Sequence, residues 1–391
     1  MIIFSCLKKD FDFYVEKGII SNQVYDAYKE KLGKKTRLNQ IKAWANSLPM
    51  MKEVISDLPD DVGIAIEFNI PLTSKRVDFV VSGYDSEHKP VLLLFELKQW
   101  EAVTDIKNED AIVNTLISNR EKRCLHPSYQ VLSYAELLES YNQFVEKANV
   151  QIYPFVYLHN YTIQSNDSLF LNKFKKYYRN APIYGKYEKK ELKEAVGKAI
   201  FYGDQLEIIK QIDQSEVKPN KKFLDSLEKM IQDKKEYTLL DEQKVIAEAV
   251  KNEAKLAFTT NQKRVIIVKG GPGTGKSVVA INLLGELLKI GLTGAYVSKN
   301  MAPRKIYKNS LVHHNEISIH ELFKSSEYFF RDRENQYDFL LVDEAHRLQE
   351  KSGIHYNIGE NQIKEIIHAS KLSVFFIDER QIVTLKDIGT I

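Results

Sequence analysis

Arg264-Val265-Ile266-Ile267-Val268-Lys269-Gly270-Gly271-Pro272-Gly273-Thr274-Gly275-Lys276-Ser277 decides how the C-terminal part of this 391-residue chain folds. A β-branched apolar run leads into the pattern GxxxxGK[ST], and the residues after Ser277 continue at helical spacing, so the glycines sit at a strand-to-helix turn. Glycines there let backbone N–H groups converge on phosphate oxygens, and the start of the next helix adds positive potential. The turn therefore predicts a bound nucleoside triphosphate, ATP, cradled by Gly270, Gly271, Pro272, Gly273, Thr274 and Gly275. Lys276 is placed to reach the β/γ-phosphates and Ser277 to ligate Mg²⁺.

Downstream, a helix over 276–290 and strands over 294–298, 338–343 and 373–377 continue the alternation, and a helix over 241–251 precedes it. That order predicts a parallel βαβ series. Phe339-Leu340-Leu341-Val342-Asp343-Glu344-Ala345-His346 is an apolar strand ending in adjacent carboxylates. Asp343 would join the Mg²⁺ shell, and Glu344 would orient an attacking water, which favours hydrolysis over transfer to a small metabolite.

The Asp-Glu-Ala-His form of that strand, with Ile377-Asp378-Glu379-Arg380-Gln381 ending the next, resembles superfamily 1 nucleic-acid helicases. Within those, residues 236–391 resemble the Schlafen group-3-like DNA/RNA helicase domain. The resemblance implies a RecA-like lobe in which Gln243 reads the adenine edge and Asp378 and Gln381 sense the γ-phosphate. It also implies that Asn300, Arg304 and Lys305 touch nucleic acid. Motors of that kind use two lobes, the second supplying arginines worth about 10³–10⁵ in turnover. The sequence ends ten residues after Gln381, so a second lobe is expected from a protein partner or a C-terminal extension.

The N-terminal half has a different pattern. Leu38, Ile41, Trp44, Ala45 and Leu48 fall at helical spacing within first sixty residues that read as helical throughout. Strands are predicted at 63–70, 76–82 and 91–97, the last two joined by the turn-rich 83–90, then a helix over 127–147 and a strand at 152–158. Val91 to Phe95 is apolar without alternation, so that strand is expected to be central and buried on both faces.

At the end of that strand Glu96 and Lys98, two apart, project from one face. Charges there need a partner, solvent or a cation. Asp78 on the neighbouring strand could complete an oxygen site for Mg²⁺ or Mn²⁺, with Lys98 stabilising charge at phosphorus. The pattern D-x₁₇-E-x-K resembles the PD-(D/E)XK nuclease superfamily over residues 36–200, and the helix–strand–strand–strand–helix–strand order agrees. That resemblance implies an additional acid, Glu67, and a role for Gln130 at the scissile phosphate or its water. An ordinary salt bridge between Glu96 and Lys98 is the plainer alternative. Trp44 and Trp100 read as core or rim, His126 as a helix cap, and Cys6 and Cys124 as buried thiols.

The reading is thus an α/β chain: a restriction-endonuclease-like domain at 1–204, a charged helical connector at 205–236 and a RecA-like P-loop lobe at 237–391. At ~150 residues per domain, the length suits two or three domains. Hydrophobic residues at 43% and charged residues at 28% exclude global disorder. A formal net charge of +3 neither demands nor excludes nucleic acid. Two cysteines without ligand spacing make no disulfide framework. Neither a signal peptide nor a membrane span is expected, and a cytoplasmic setting is. The function expected is a metal-dependent nuclease coupled to an ATP-binding lobe, acting on nucleic acid, DNA favoured over RNA. Anti-phage defence is the setting the resemblance implies. A non-cleaving nucleic-acid clamp with ATPase activity and a nucleotide-sensing switch are the alternatives.

Overall fold

The computed structural model describes residues 2–33, 36–70, 76–107, 111–117, 120–221, 223–225, 227, 241–299, 321–353, 357–378, 381 and 387–389. Asn300, Arg304, Lys305, Glu379 and Arg380 lie outside the described residues. The chain divides into two compact units, the first ending at Glu216 and the second beginning at Val217.

The first unit opens with β1 (Ile2–Leu7), followed by α1 (Lys8–Glu16), α2 (Ile20–Leu32) and α3 (Leu38–Val54). Next come β2 (Gly63–Asn69), β3 (Arg76–Tyr84) and β4 (Pro90–Lys98), then a small group of β5 (Val103–Asp105), β6 (Ile112–Ile117) and β7 (Arg120–Leu125). The unit closes with α4 (Pro127–Tyr141), α5 (Gln143–Lys147), β8 (Gln151–Leu158), α6 (Lys175–Tyr178), β9 (Ile183–Tyr184), α7 (Lys189–Ala199) and α8 (Glu207–Gln214).

Six strands form one mixed sheet in the order β1-β2-β3-β4-β8-β9. Neighbours from β1 to β4 run antiparallel, whereas β8 runs parallel to β4 and β9 parallel to β8. A parallel neighbour requires a long crossover, and here it carries the β5–β7 sheet and α4. Val91, Leu92, Leu93, Leu94 and Phe95 are each no more than 1% exposed, as the absence of alternation predicts for a central strand. Ile64, Ile66, Phe79, Val81, Leu93 and Phe95 pack with Trp44, Leu48 and Met51 of α3. Ala65, Phe68, Val80 and Leu92, from the other face, surround a small apolar cavity with Ile209 and Ile212 of α8.

Three local expectations are corrected. Residues 2–7 are a strand, although the first sixty residues read as helical, because β1 gains its partner only from β2, where Cys6 opposes Ile64. The helix predicted over 127–147 breaks at Asn142, whose Oδ1 accepts the Val145 N–H at 3.1 Å and starts α5. Cys6 is buried, but Cys124 is only half-buried on the outer strand of the small sheet.

The second unit contains α9 (Asp241–Thr260), β10 (Arg264–Lys269), α10 (Lys276–Lys289), β11 (Gly294–Ser298), β12 (Phe323–Lys324), β13 (Tyr337–Asp343), α11 (Gln362–Ala369) and β14 (Ser370–Ile377). The strands form one parallel sheet, β10-β14-β13-β11-β12, as the alternation predicts. β14 starts ahead of the predicted 373 because Ser370 and Leu372 already pair with Tyr337 and Arg264. Its core joins Val297, Leu340, Val342, Phe375 and Ile366. Among the described residues no helix is long and apolar enough to cross a membrane.

Asp204 ties α8 to the first sheet. Its Oδ1 accepts the Gly63 N–H at 2.9 Å, and its Oδ2 accepts the Ser82 hydroxyl at 2.7 Å and the Ile208 N–H at 3.0 Å. Burial raises its pKa above the ordinary carboxylate value, against the lowering by these three donors. A raised folded pKa favours the protonated fold, so stability falls as pH rises from the ordinary value through the raised one. Asp204→Ala is expected to lower the unfolding free energy by about 1–3 kcal/mol by orphaning buried donors, and to flatten that part of the pH profile. Urea denaturation at a series of pH values checks both effects.

Candidate functional site

The antiparallel register brings two acids onto one face and leaves a third close by. Ile66 opposes Phe79 and Phe68 opposes Val77, which sets Glu67 of β2 beside Asp78 of β3. Phe79 opposes Phe95, which sets Asp78 beside Glu96 of β4. Opposed residues share a face, so the sheet presents Asp78 and Glu96 together, while Glu67 is turned toward α3 on the other face. The β2–β3 pairing is interrupted at Glu67, whose φ of 57° is left-handed. A non-glycine residue held there costs about 1–3 kcal/mol and persists only where its surroundings impose it.

Each acid is met by different groups. Glu67, 6% exposed, accepts at Oε1 from Gln40 Nε2 and Trp44 Nε1, both at 2.8 Å, and pairs through Oε2 with Arg76 at 3.0 Å. Glu96, 1% exposed, receives Lys98 Nζ at 2.5 Å and Gln130 Nε2 at 2.6 Å on Oε1. Gln130 also accepts from Lys98 at 3.2 Å and donates to the Tyr134 hydroxyl at 2.9 Å. Because an ammonium only donates and a carboxylate only accepts, these neighbours fix which end of the Gln130 amide faces which. Asp78 Oδ2 accepts the Leu97 backbone N–H at 2.8 Å.

Glu67, Asp78 and Lys98 line a cleft of about 540 Å³ together with Trp44 and Trp100. Lys98 Nζ lies 5.4 Å from the Trp100 ring centroid, in cation–π range. Burial, then the Glu96 charge, pushes Asp78 well above the ordinary carboxylate value, although Lys98 and the Leu97 N–H oppose this. Burial works against the Lys98 ammonium, but Glu96 and Asp78 outweigh it and its pKa rises. Lys98 therefore keeps its proton. Two hard carboxylates that disfavour one another's charge form a donor set suited to a small divalent cation, and Asp78 and Glu96 could hold one. Among the described residues no group of three or more His, Cys, Asp or Glu side chains is so arranged, and Glu67 is turned toward Trp44, Gln40 and Arg76.

In the second unit, β10 ends at Lys269 and α10 begins at Lys276, so the glycine turn spans strand to helix as predicted. Gly273 and Gly275 have φ of 74° and 81°, values that favour glycine. Lys276 Nζ donates to the Gly270 and Gly271 carbonyls, each at 2.7 Å, and lies 3.6 Å from Asp378 Oδ2. Thr274 Oγ1 donates back to the Gly271 carbonyl at 2.9 Å. Ser277 Oγ donates to Asp343 Oδ2 at 2.5 Å, which brings the hydroxyl and carboxylate predicted for a Mg²⁺ shell together. A cradle of this shape with one lysine, one hydroxyl and one buried carboxylate suits a triphosphate and its cation.

Glu344 follows Asp343 with a φ of 50°, its N–H returning to Asp343 Oδ1 at 2.9 Å and its carboxylate 3.5 Å from Arg347. Gln243 Nε2 donates to the Thr274 carbonyl at 3.0 Å, so the side chain predicted to read adenine touches the loop. Gln381 is exposed and its N–H donates to the Asp378 carbonyl at 3.0 Å.

A family model described as Schlafen group 3, DNA/RNA helicase domain, matches residues 263–391. This segment is helicase-like. No curated protein matches the chain. The matched segment holds the glycine turn, Asp343, Glu344, Asp378 and Gln381, whereas Gln243 and the whole acidic cleft lie before it.

Several site residues escape a reading by motif. The Tyr296 hydroxyl donates to Asp343 Oδ2, although Tyr296 sits in an ordinary apolar strand. His346, 1% exposed, accepts the Asp378 N–H on Nδ1 at 3.2 Å. Burial, partly offset by Glu344 and Asp378, lowers its pKa, which suits that accepting role. Trp44, Gln40 and Arg76 hold Glu67 from α3 and β3; the helical spacing marked Trp44 as core and gave no sign of its indole N–H partner. If those donors impose the Glu67 geometry, a double-mutant cycle of Trp44→Phe with Glu67→Gln should show a coupling of about 0.5–3 kcal/mol in urea denaturation. Additive effects would mean that Trp44 contributes packing alone.

Proposed function

We propose that the chain is a nucleic-acid-processing enzyme, a metal-dependent nuclease of the PD-(D/E)XK type joined to an ATP-hydrolysing, helicase-like lobe. The observation that carries the reading is the meeting of Lys98, Glu96 and Gln130 beside Asp78 at one cleft. An isolated surface salt bridge needs neither a glutamine bonded to both members nor a second carboxyl with raised proton affinity. DNA is the favoured substrate over RNA, and the setting in anti-phage defence rests on resemblance alone.

A divalent cation held by Asp78 and Glu96, Mg²⁺ or Mn²⁺, would supply Lewis-acid polarisation and a more acidic water. The chain's own residues supply the rest. The Lys98 ammonium faces the non-bridging phosphoryl oxygens and meets the charge they gain as water adds and the bond to the leaving oxygen breaks. Gln130 fixes the Lys98 and Glu96 side chains relative to one another. In the helicase-like lobe, Lys276 and the loop N–H groups bind the phosphates, Ser277 and Asp343 would hold Mg²⁺, and Glu344 orients water. Asp378 and Gln381 sense the γ-phosphate, and a partner or further lobe supplies arginine for full turnover.

A second reading, a non-cleaving clamp, is favoured by one observation: Glu67 is satisfied by Gln40, Trp44 and Arg76. Labelled DNA and RNA incubated with Mg²⁺ or Mn²⁺, with and without ATP, separate the two. The parent is expected to cleave, and Asp78→Ala and Lys98→Ala to lose about 10²–10³ in rate. Strand binding without any cleavage would leave the clamp. Independently, Lys276→Ala should weaken ATP binding by at least about tenfold in titration calorimetry, the loss of a single charge-assisted bond.

A further inference from the structure

The small β5–β7 sheet lies in the crossover between β4 and β8, and the chemistry described so far gives it no task. In this sheet Ile112 opposes Leu125, Val113 opposes Cys124, Thr115 opposes Lys122 and Ile117 opposes Arg120. Opposed and alternate residues share a face, so Val113, Thr115 and Ile117 lie with Cys124, Lys122 and Arg120. The inner end of that face is buried, with Val113 at 0% and Thr115 at 3% exposure. Its outer end is open: Lys122 and Arg120 are exposed, and Ile117 is 38% exposed. Leu116 beside it is 53% exposed, and both aliphatic side chains line the cleft that holds Asp78 and Lys98. Burial raises the pKa of the Cys124 thiol, and the Lys98 and Lys122 charges oppose this. Lys122 and Arg120 therefore place two exposed cations on the face of β7 that carries Cys124.

Bare aliphatic side chains at the mouth of a polar cleft, flanked by cations, match one kind of occupant. Phosphates are held by Lys and Arg without regard to sequence, whereas an aliphatic wedge enters between bases and partly unstacks them. We propose that the β5–β7 sheet is a clamp for duplex nucleic acid, with Lys122 and Arg120 on the phosphate backbone and Leu116 and Ile117 wedged into a base step at the cleft mouth. The proposal deepens the nuclease reading, on which the placing of the phosphate near Lys98 rests. Glu121 opposes Leu116, so it lies beside that wedge residue and on the other face of the ladder from Lys122 and Arg120.

The test uses the full chain in EDTA, so that nothing is cleaved, with duplex DNA carrying 2-aminopurine, whose fluorescence rises on unstacking. The parent is expected to bind with a fluorescence rise. Leu116→Ser with Ile117→Ser should bind within about threefold of the parent yet lose the rise. Arg120→Ala with Lys122→Ala should reduce the slope of log affinity against log salt by about two, one for each phosphate contact. Circular dichroism of both exposed-site variants verifies that they fold. A parent that binds duplex with no fluorescence rise, or that binds single strands alone, overturns the wedge. An unchanged salt slope in Arg120→Ala with Lys122→Ala overturns the backbone contact. Adding Mg²⁺ or Mn²⁺ tests the underlying reading separately. Absence of cleavage with the binding signals intact sinks the nuclease and leaves the clamp; cleavage with a flat signal does the reverse.

Discussion

Three carboxylates gathered at one end of a buried sheet repel one another and lose hydration, so each needs its own compensation. The first unit supplies it in three ways. Glu67 is closed off by an indole, an amide and a guanidinium. Glu96 is matched by the Lys98 ammonium and the Gln130 amide, which bind each other as well. Asp78 has the Leu97 backbone N–H and carries the raised proton affinity of the group. The compensation determines what each acid can do: Glu67 is an anchor, and Asp78 responds most to a cation or a proton.

How much of this was legible in the sequence depends on how far apart the cooperating residues lie. Glu96 and Lys98 are two apart on a strand whose lack of alternation places it at the centre, so their shared face follows from pleat geometry alone. The glycine turn was equally legible, because strand, turn and helix follow one another without a gap. β1 was not, since a short apolar run acquires its strand character only by pairing with β2 far along the chain. The β5–β7 sheet was missed for a related reason: β7 has four consecutive exposed residues and shows no period of two. Tyr296 and His346 escaped because their roles depend on which strands are neighbours. β11 lies beside β13, which brings Tyr296 to Asp343, and β14 lies on the other side of β13, which brings Asp378 to His346.

The two units treat one acid each in a comparable way. Glu67 and Glu344 are both non-glycine residues with left-handed φ, 57° and 50°. In the second unit the turn at Glu344 lets its N–H fold back onto Asp343 Oδ1, leaving Oδ2 to Ser277 and Tyr296. In the first, the same backbone region interrupts the ladder and lets the Glu67 side chain meet α3. The backbone cost is local in both cases, and it is offset by hydrogen bonds that an extended residue would not make.

Trp44 and Trp100 are the only tryptophans in the chain, and both line the acidic cleft. One indole is bonded to the Glu67 carboxylate and the other lies under the Lys98 ammonium. Tryptophan emission from this protein is therefore a local optical signal without any label: whatever enters the cleft, displaces Lys98 or alters the charge on Glu67 acts on one of two fluorophores. The second unit contains tyrosine and phenylalanine but no tryptophan, so it contributes nothing in that spectral window. Excitation at the red edge of the indole band observes one unit while the other is being titrated.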